Sequence, residues 1–251
     1  MLSPEEIRRE NLNLQRAAES GDAKSQFLYA VQLDTGDGGV TRDSEKAFKF
    51  YEFSANSGYL DAICALAECY QTSNGCAKDL TKAAELYKKA ADKGHAKSAV
   101  TYATCLMNGV GVKVNMKEAA KYFKKAADKG DADAQLNVAY FLQRGDVVKQ
   151  NLEEAAKYFE KAAKQYNIEA QFSYAMCFLN GSGVEKDMKK YAEYMRLSAD
   201  QGNLEAKYRY GECLEKGEGV RKNLKEASMY YEDAGTKGHE KAHEAYLRLN
   251  P

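Results

Sequence analysis

Apolar and polar positions alternate along this chain at helical spacing, and the pattern itself recurs. From Glu118 to Asp131 the sequence reads EAAKYFKKAADKGD. Ala119, Phe123 and Ala126 fall three or four residues apart, with lysines and acids between them, which predicts a helix buried on one face. Thirty-six residues earlier the chain reads KAAELYKKAADKGH (Lys82 to His95), and thirty-six later EAAKYFEKAAKQYN (Glu154 to Asn167). Further copies run from Lys46 to Tyr59, Lys190 to Asn203 and Glu226 to His239. A fixed period of this length predicts one stacked array, in which each unit buries its apolar face against its neighbours.

A second helix, A, precedes this one, B, in every copy. Turn glycines stand at Gly21, Gly58, Gly94, Gly130, Gly202 and Gly238, with Tyr166 in the equivalent place of the fifth copy. Glycine after a lysine-rich helix end supplies the positive φ of a helix stop. Tyr166 forfeits that freedom, so positive φ is expected at Asn167 instead. Beyond each turn come a small residue (Ala134), a large apolar residue four later (Val138), another small one (Ala139), and a large one three further on (Leu142), and the other copies follow suit. The small residues allow close helix approach. A glycine-rich loop follows (NGVGV, NGSGV and KGEGV among them), then Asp43, Asp79, Asn115, Asn151, Asp187 or Asn223 as N-cap of helix B. Glu118, Glu154 and Glu226 stand three residues after their asparagines, at capping-box spacing.

Composition adds limits. Pro4 and Pro251 are the only prolines, so the interior is free to be helical. Basic and acidic residues balance at 37 each, giving no electrostatic case for nucleic acid or an anionic membrane. No apolar run has the length of a membrane span, and the charged N-terminus does not read as a secretory signal. Cys69, Cys105, Cys177 and Cys213 share one repeat position, which Phe141 fills in the fourth copy. A site shared by Cys and Phe is an apolar packing site, so the thiols are expected to be free and mostly buried, as in a reducing, cytoplasmic setting. Cys64 and Cys76 lie off that position.

Paired helices, a Gly-x-Gly-Val turn, Asp or Asn, and then K/E-A-A-x-x-Y/F-x-K-A-A-x-x-G at this period resemble the Sel-1-like repeat family, relatives of the tetratricopeptide repeats. The resemblance covers six copies, 21–57, 58–93, 94–129, 130–165, 166–201 and 202–237, with capping helices at 1–20 and 238–251. It implies an all-α, right-handed α-α superhelix serving as an interaction scaffold or adaptor. By analogy with tetratricopeptide repeats, helix A positions counted from each turn glycine would line a concave groove. In the third copy these include Val100, Thr104, Met107 and Asn108. In the fourth they include Leu136, Asn137, Tyr140, Gln143 and Arg144, and in the fifth Phe172, Met176, Leu179 and Asn180. The apolar members form a stripe and the amides a rim, the features of a peptide or partner-helix groove. The competing reading has these side chains packing on the neighbouring helix A.

Other chemistry finds little support. The glycine-rich loops lie between helices and match no phosphate-binding motif. His239 and His243 are spaced to chelate a metal, but no third ligand is apparent. Some secreted relatives have been linked to β-lactams, yet no serine here has a lysine three residues on. The lysine pairs Lys88–Lys89 and Lys124–Lys125 interleave with Glu85, Asp92, Glu118 and Asp128 as a solvated face. The expected protein is a non-enzymatic, monomeric adaptor without cofactor or metal, holding a protein or peptide. The alternative is an assembly helper whose cysteines handle redox chemistry or a cofactor; accessible thiols would favour it.

Overall fold

The computed structural model describes residues 3–250, so the expected terminal helices are visible without Met1, Leu2 and Pro251. The described residues form fourteen α-helices and one short 3-10 turn, with no strand. Two compact units divide the chain, residues 1–126 and 127–251.

The first unit contains α1 (Pro4–Glu19), α2 (Ala23–Thr35), α3 (Ser44–Asn56), α4 (Leu60–Thr72), α5 (Leu80–Asp92), α6 (Ala96–Asn108) and nearly all of α7 (Met116–Ala127). The second contains α8 (Ala132–Arg144), α9 (Leu152–Lys164), α10 (Ile168–Asn180), α11 (Met188–Asp200), α12 (Leu204–Lys216), α13 (Leu224–Thr236) and α14 (Glu240–Leu249). From α2 to α13 the helices alternate A and B. Within each unit successive helices pack on one another, α1 through α6 in the first and α8 through α14 in the second.

The repeating apolar positions make the core. The large helix A residues Tyr29, Leu66, Tyr102, Val138, Tyr174 and Tyr210 are all buried, as are the small residues that follow each of them. On helix B, Ala83, Ala90, Ala119, Ala126, Ala155 and Ala162 are buried with Tyr87, Phe123 and Phe159. Alanine at these positions brings the helix axes close, and the aromatic rings fill the remaining space.

The helix B N-caps form where the sequence places them. Asp43, Asp79, Asn151, Asp187 and Asn223 accept backbone N–H groups of the first turn, and Asn115 accepts the N–H of Glu118 at 3.1 Å. The boxes close in an unexpected way. The backbone N–H of Asn115, Asn151 and Asn223 is already spent on the helix A carbonyls of Leu106, Leu142 and Leu214. Glu118, Glu154 and Glu226 therefore accept from the asparagine side-chain amides, at 3.0, 3.1 and 2.9 Å. Asparagine both caps its helix and fixes the glutamate, a double role that Asp cannot play because it has no donor.

The turn before α10 departs from expectation. Tyr166 itself adopts the left-handed conformation, at φ 63°, while Asn167 sits at φ −67° and caps α10 by accepting the Ala170 N–H. The hydrogen bonds of the turn need a residue in that conformation at position 166, and tyrosine complies because its side chain is 76% exposed and meets no obstacle. Ser73 does the same at the end of α4, at φ 63°.

Candidate functional site

The residues expected to line a groove lie on three A helices, α6 in the first unit and α8 and α10 in the second. None of them is fully buried. Val100 and Met107 are half-buried on α6, and Thr104 and Asn108 exposed. On α8, Leu136, Asn137, Tyr140 and Gln143 are half-buried and Arg144 is exposed; on α10, Phe172, Met176 and Leu179 are half-buried and Asn180 exposed. Side chains one or two positions away, such as Ala139, Tyr174 and Cys177, are sealed in the core. The same helices thus carry a closed face and an adjoining face whose apolar side chains stay partly open.

Several of these residues also have internal partners. The Tyr140 hydroxyl lies 2.8 Å from the Ser173 hydroxyl, joining α8 to α10. Its ring meets Phe159 edge to face with centroids 5.3 Å apart, and the Arg144 guanidinium sits over the ring at 5.9 Å from its centroid. Tyr140 is therefore built into the framework as well as the face. The Asn137 amide donates to the Asp133 carbonyl of its own helix, and the Gln143 carbonyl accepts from Gln150, both at 2.8 Å. That leaves Asn108, Arg144 and Asn180 as the exposed rim.

The four repeat-position thiols are packing groups. Cys69, Cys105, Cys177 and Cys213 are free and buried. Burial pushes Cys69 and Cys213 up to about 12 and Cys177 to about 11, and raises Cys105 as well. They are protonated and enclosed at neutral pH, and such thiols are poor nucleophiles.

The caps of the A helices have no counterpart in the repeat pattern described above. Asp22, His95, Asp131, Asn167, Asn203 and His239 each accept a first-turn N–H. Four of them also reach back to an acid 34 residues earlier on the preceding helix A. Asn167 donates to Asp133 at 2.8 Å and Asn203 to Glu169 at 3.2 Å. His239 Nε2 lies 3.0 Å from Glu205 and His95 Nε2 3.7 Å from Asp61. Both ring nitrogens of His239 are thereby engaged, which takes it out of any chelating pair with exposed His243. Among the described residues, no group of three His, Cys, Asp or Glu side chains is arranged to hold a metal ion.

Between helix B neighbours a different rung appears. Tyr122 donates to Asp92 at 2.9 Å and Tyr230 to Asp200 at 2.6 Å, across the same 30-residue interval. Lys125 joins the first rung at 3.2 Å, so this ion pair runs between repeats rather than along one helix. No described helix is long and apolar enough to cross a membrane.

The Sel1 repeat pattern matches this chain six times, at residues 23–59, 60–95, 97–131, 132–167, 168–203 and 204–239. The chain belongs to the Sel1 repeat family. Its fold is accordingly an all-α solenoid of helix-turn-helix repeats. Among solved structures it resembles c5321, a protective antigen of uropathogenic Escherichia coli displaying this fold, at 27% identity and a TM-score of 0.90. That alignment covers 94% of this chain but 50% of the antigen, so the chain spans half the antigen's length. A Sel1 repeat protein from Oxalobacter formigenes aligns at 28% identity and a TM-score of 0.72, over 85% of both chains. No curated protein matches the chain. Sel1 repeat proteins generally mediate protein–protein interactions, on a fold that serves as a scaffold.

Proposed function

We propose that the chain is a non-enzymatic adaptor that docks a protein or peptide on the open face of its A helices. The observation that carries this reading is the half-exposure of Leu136, Phe172, Met176 and Leu179, on helices whose neighbouring positions are closed. A partner that covered them would remove apolar surface from water, at about 25 cal/mol per Å². The exposed Asn180 and Arg144 at the edge would bond the backbone or carboxylates of the arriving segment. Val100, Thr104, Met107 and Asn108 offer the corresponding face of α6. The enclosure of Cys69, Cys105, Cys177 and Cys213 counts against a thiol-handling helper built on these four residues.

The test begins with affinity capture and mapping of the bound segment as a synthetic peptide. Binding of that peptide is then compared between wild type and a Met176→Ser/Leu179→Ser variant, which leaves the Tyr140–Ser173 contact in place. The reading expects at least a tenfold loss of affinity with an unchanged circular dichroism spectrum. Full affinity in the folded variant would remove α10 from the docking face.

A further inference from the structure

In the first unit a cavity of about 350 Å³ opens beside Cys64. Phe27, Val31, Tyr51 and Tyr87 wall it with apolar surface, and Asp61, Glu68, His95 and Lys97 bring charge or a titratable ring to it. Unlike the four packing thiols, Cys64 has polar neighbours on a different helix. Its Sγ lies 3.2 Å from His95 Nδ1 and 2.8 Å from the Ser98 hydroxyl. The Ser98 hydroxyl is itself 3.0 Å from Nδ1. On the far side of the ring, Nε2 faces Asp61 at 3.7 Å.

The cap fixes the tautomer. Nδ1 is oriented to accept the backbone N–H of Ser98 at 3.1 Å, and the neutral tautomer that this bond selects has its hydrogen on Nε2, toward Asp61. The thiol thus has a basic nitrogen within reach, directly or through the Ser98 hydroxyl, and that base is oriented by a carboxylate. This is the order of groups that activates a nucleophilic sulfur.

We propose that Cys64 is a thiol-exchange site, in which His95 takes the thiol proton and the cavity admits a low-molecular-weight disulfide bearing amino groups. The Cys64 proton moves to Nδ1. The thiolate attacks one sulfur of the disulfide, so that a Cys64 S–S bond forms as the small molecule's own S–S bond breaks. The departing thiolate takes the proton back from the imidazolium. Cys64 is oxidised to a mixed disulfide, and the small disulfide is reduced to one mixed half and one free thiol. Protonating Nδ1 interrupts the cap on α6, while the positive ring draws toward Asp61.

The charge around the cavity sets the preference. Among the residues lining the cavity, Asp61 and Glu68 on α4 stand against the single cation Lys97 on α6, while Tyr51 on α3 and Tyr87 on α5 are uncharged and the Tyr87 hydroxyl donates to Gln71 at 2.9 Å. That excess favours an aminated disulfide over a carboxylated one. Burial pushes the Cys64 thiol up from its ordinary value, so little thiolate is present at neutral pH and exchange depends on the base.

The repeat supplies the right control. Asn167 and Asn203 show that asparagine at this position caps helix A and reaches the acid 34 residues back. His95→Asn therefore keeps the cap and the link while removing the base. The full chain would be treated with cystamine at neutral pH and the mixed disulfide quantified at each cysteine by peptide mapping. Wild-type Cys64 is expected to react at least tenfold faster than Cys64 in His95→Asn, with matching thermal melts for the two proteins. Asp61→Asn, at an exposed position, is expected to slow it severalfold. At low salt, cystamine is expected to outpace dithiodipropionate at Cys64 but not at Cys76. Equal Cys64 rates in wild type and both variants, or no reaction at Cys64 while Cys76 is modified, would overturn the assignment. Equal rates for the two disulfides would overturn the charge preference.

Discussion

Each repeat turns twice, and both turns use a residue of positive φ, yet they tolerate change very differently. The loop from A to B holds Gly183, at φ 75°. A Cβ on Gly183 would drive into the carbonyl oxygen of Leu152 at the start of α9 and stand 2.8 Å from the Glu153 nitrogen. The turn from B to A holds Gly202, at φ 104°, where a Cβ would meet nothing within 4 Å. The first glycine answers to a neighbouring backbone and the second only to its own dihedral. Tyr166 demonstrates the second case: its N–H bonds the Ala163 carbonyl at 3.0 Å, as Gly202 bonds Ala199 at 2.9 Å. The repeat pattern marks where the turn glycines stand; only packing shows which of them are replaceable.

Gly183→Ala should separate the two turns most sharply. It combines a left-handed alanine with a backbone clash between repeats, and should cost about 3–4 kcal/mol. Urea unfolding of the variant would show it as a fall in midpoint. A loss no larger than that of Gly202→Ala would mean that α9 shifts away at little cost, and that the two turns are equivalent after all.

Gly202→Ala should cost only about 1 kcal/mol, the conformational penalty by itself. The converse change, Tyr166→Gly, should stabilise by about 0.5 kcal/mol. It relieves the left-handed strain but returns some entropy to the unfolded chain. Since the Tyr166 ring is exposed, no packing is lost with it. A destabilised Tyr166→Gly would show that the ring makes a contribution beyond the turn.

Features repeated in every copy were legible before the structure. The 36-residue period fixes the helix pairs, the alanine faces and the Asp or Asn caps of helix B. What escaped were contacts between copies. The His95–Asp61 and Asn167–Asp133 links each join residues 34 apart, and no one-dimensional periodicity says which side chains meet across that interval. Asn167 was misread because the exposure of Tyr166 has no signature in sequence. The Cys64 cluster was hidden for a further reason: it occurs once, and comparing copies suppresses whatever is single. The residues proposed for the docking face share a repeat position and so could be proposed from sequence, but the Tyr140–Ser173 contact and the spent amide of Asn137 could not be read there.

The finest test concerns the cap that follows the A-to-B loop, which is Asp in some repeats and Asn in others. Asp79 caps α5, while Asn151 caps α9 at the equivalent position. The Lys82 backbone N–H holds the Asp79 carboxyl below its usual value of 3.8. A carboxyl depressed in the folded state contributes stability that is fully present above the unfolded value. That contribution is lost as pH falls through the folded value. Asn151 has no such proton to take up. Asp79→Asn should therefore leave stability near neutrality almost unchanged and make its fall below about pH 4 shallower. Asn151→Asp should steepen the same fall. In that variant the Glu154 carboxylate also loses its donor, the Asn151 amide that now bonds it at 3.1 Å. Melting temperatures measured from pH 7 down to pH 2 would resolve the pair. Parallel profiles for wild type and Asp79→Asn would mean that the cap is equally well served in either protonation state, and that the carboxylate at this turn is interchangeable with the amide.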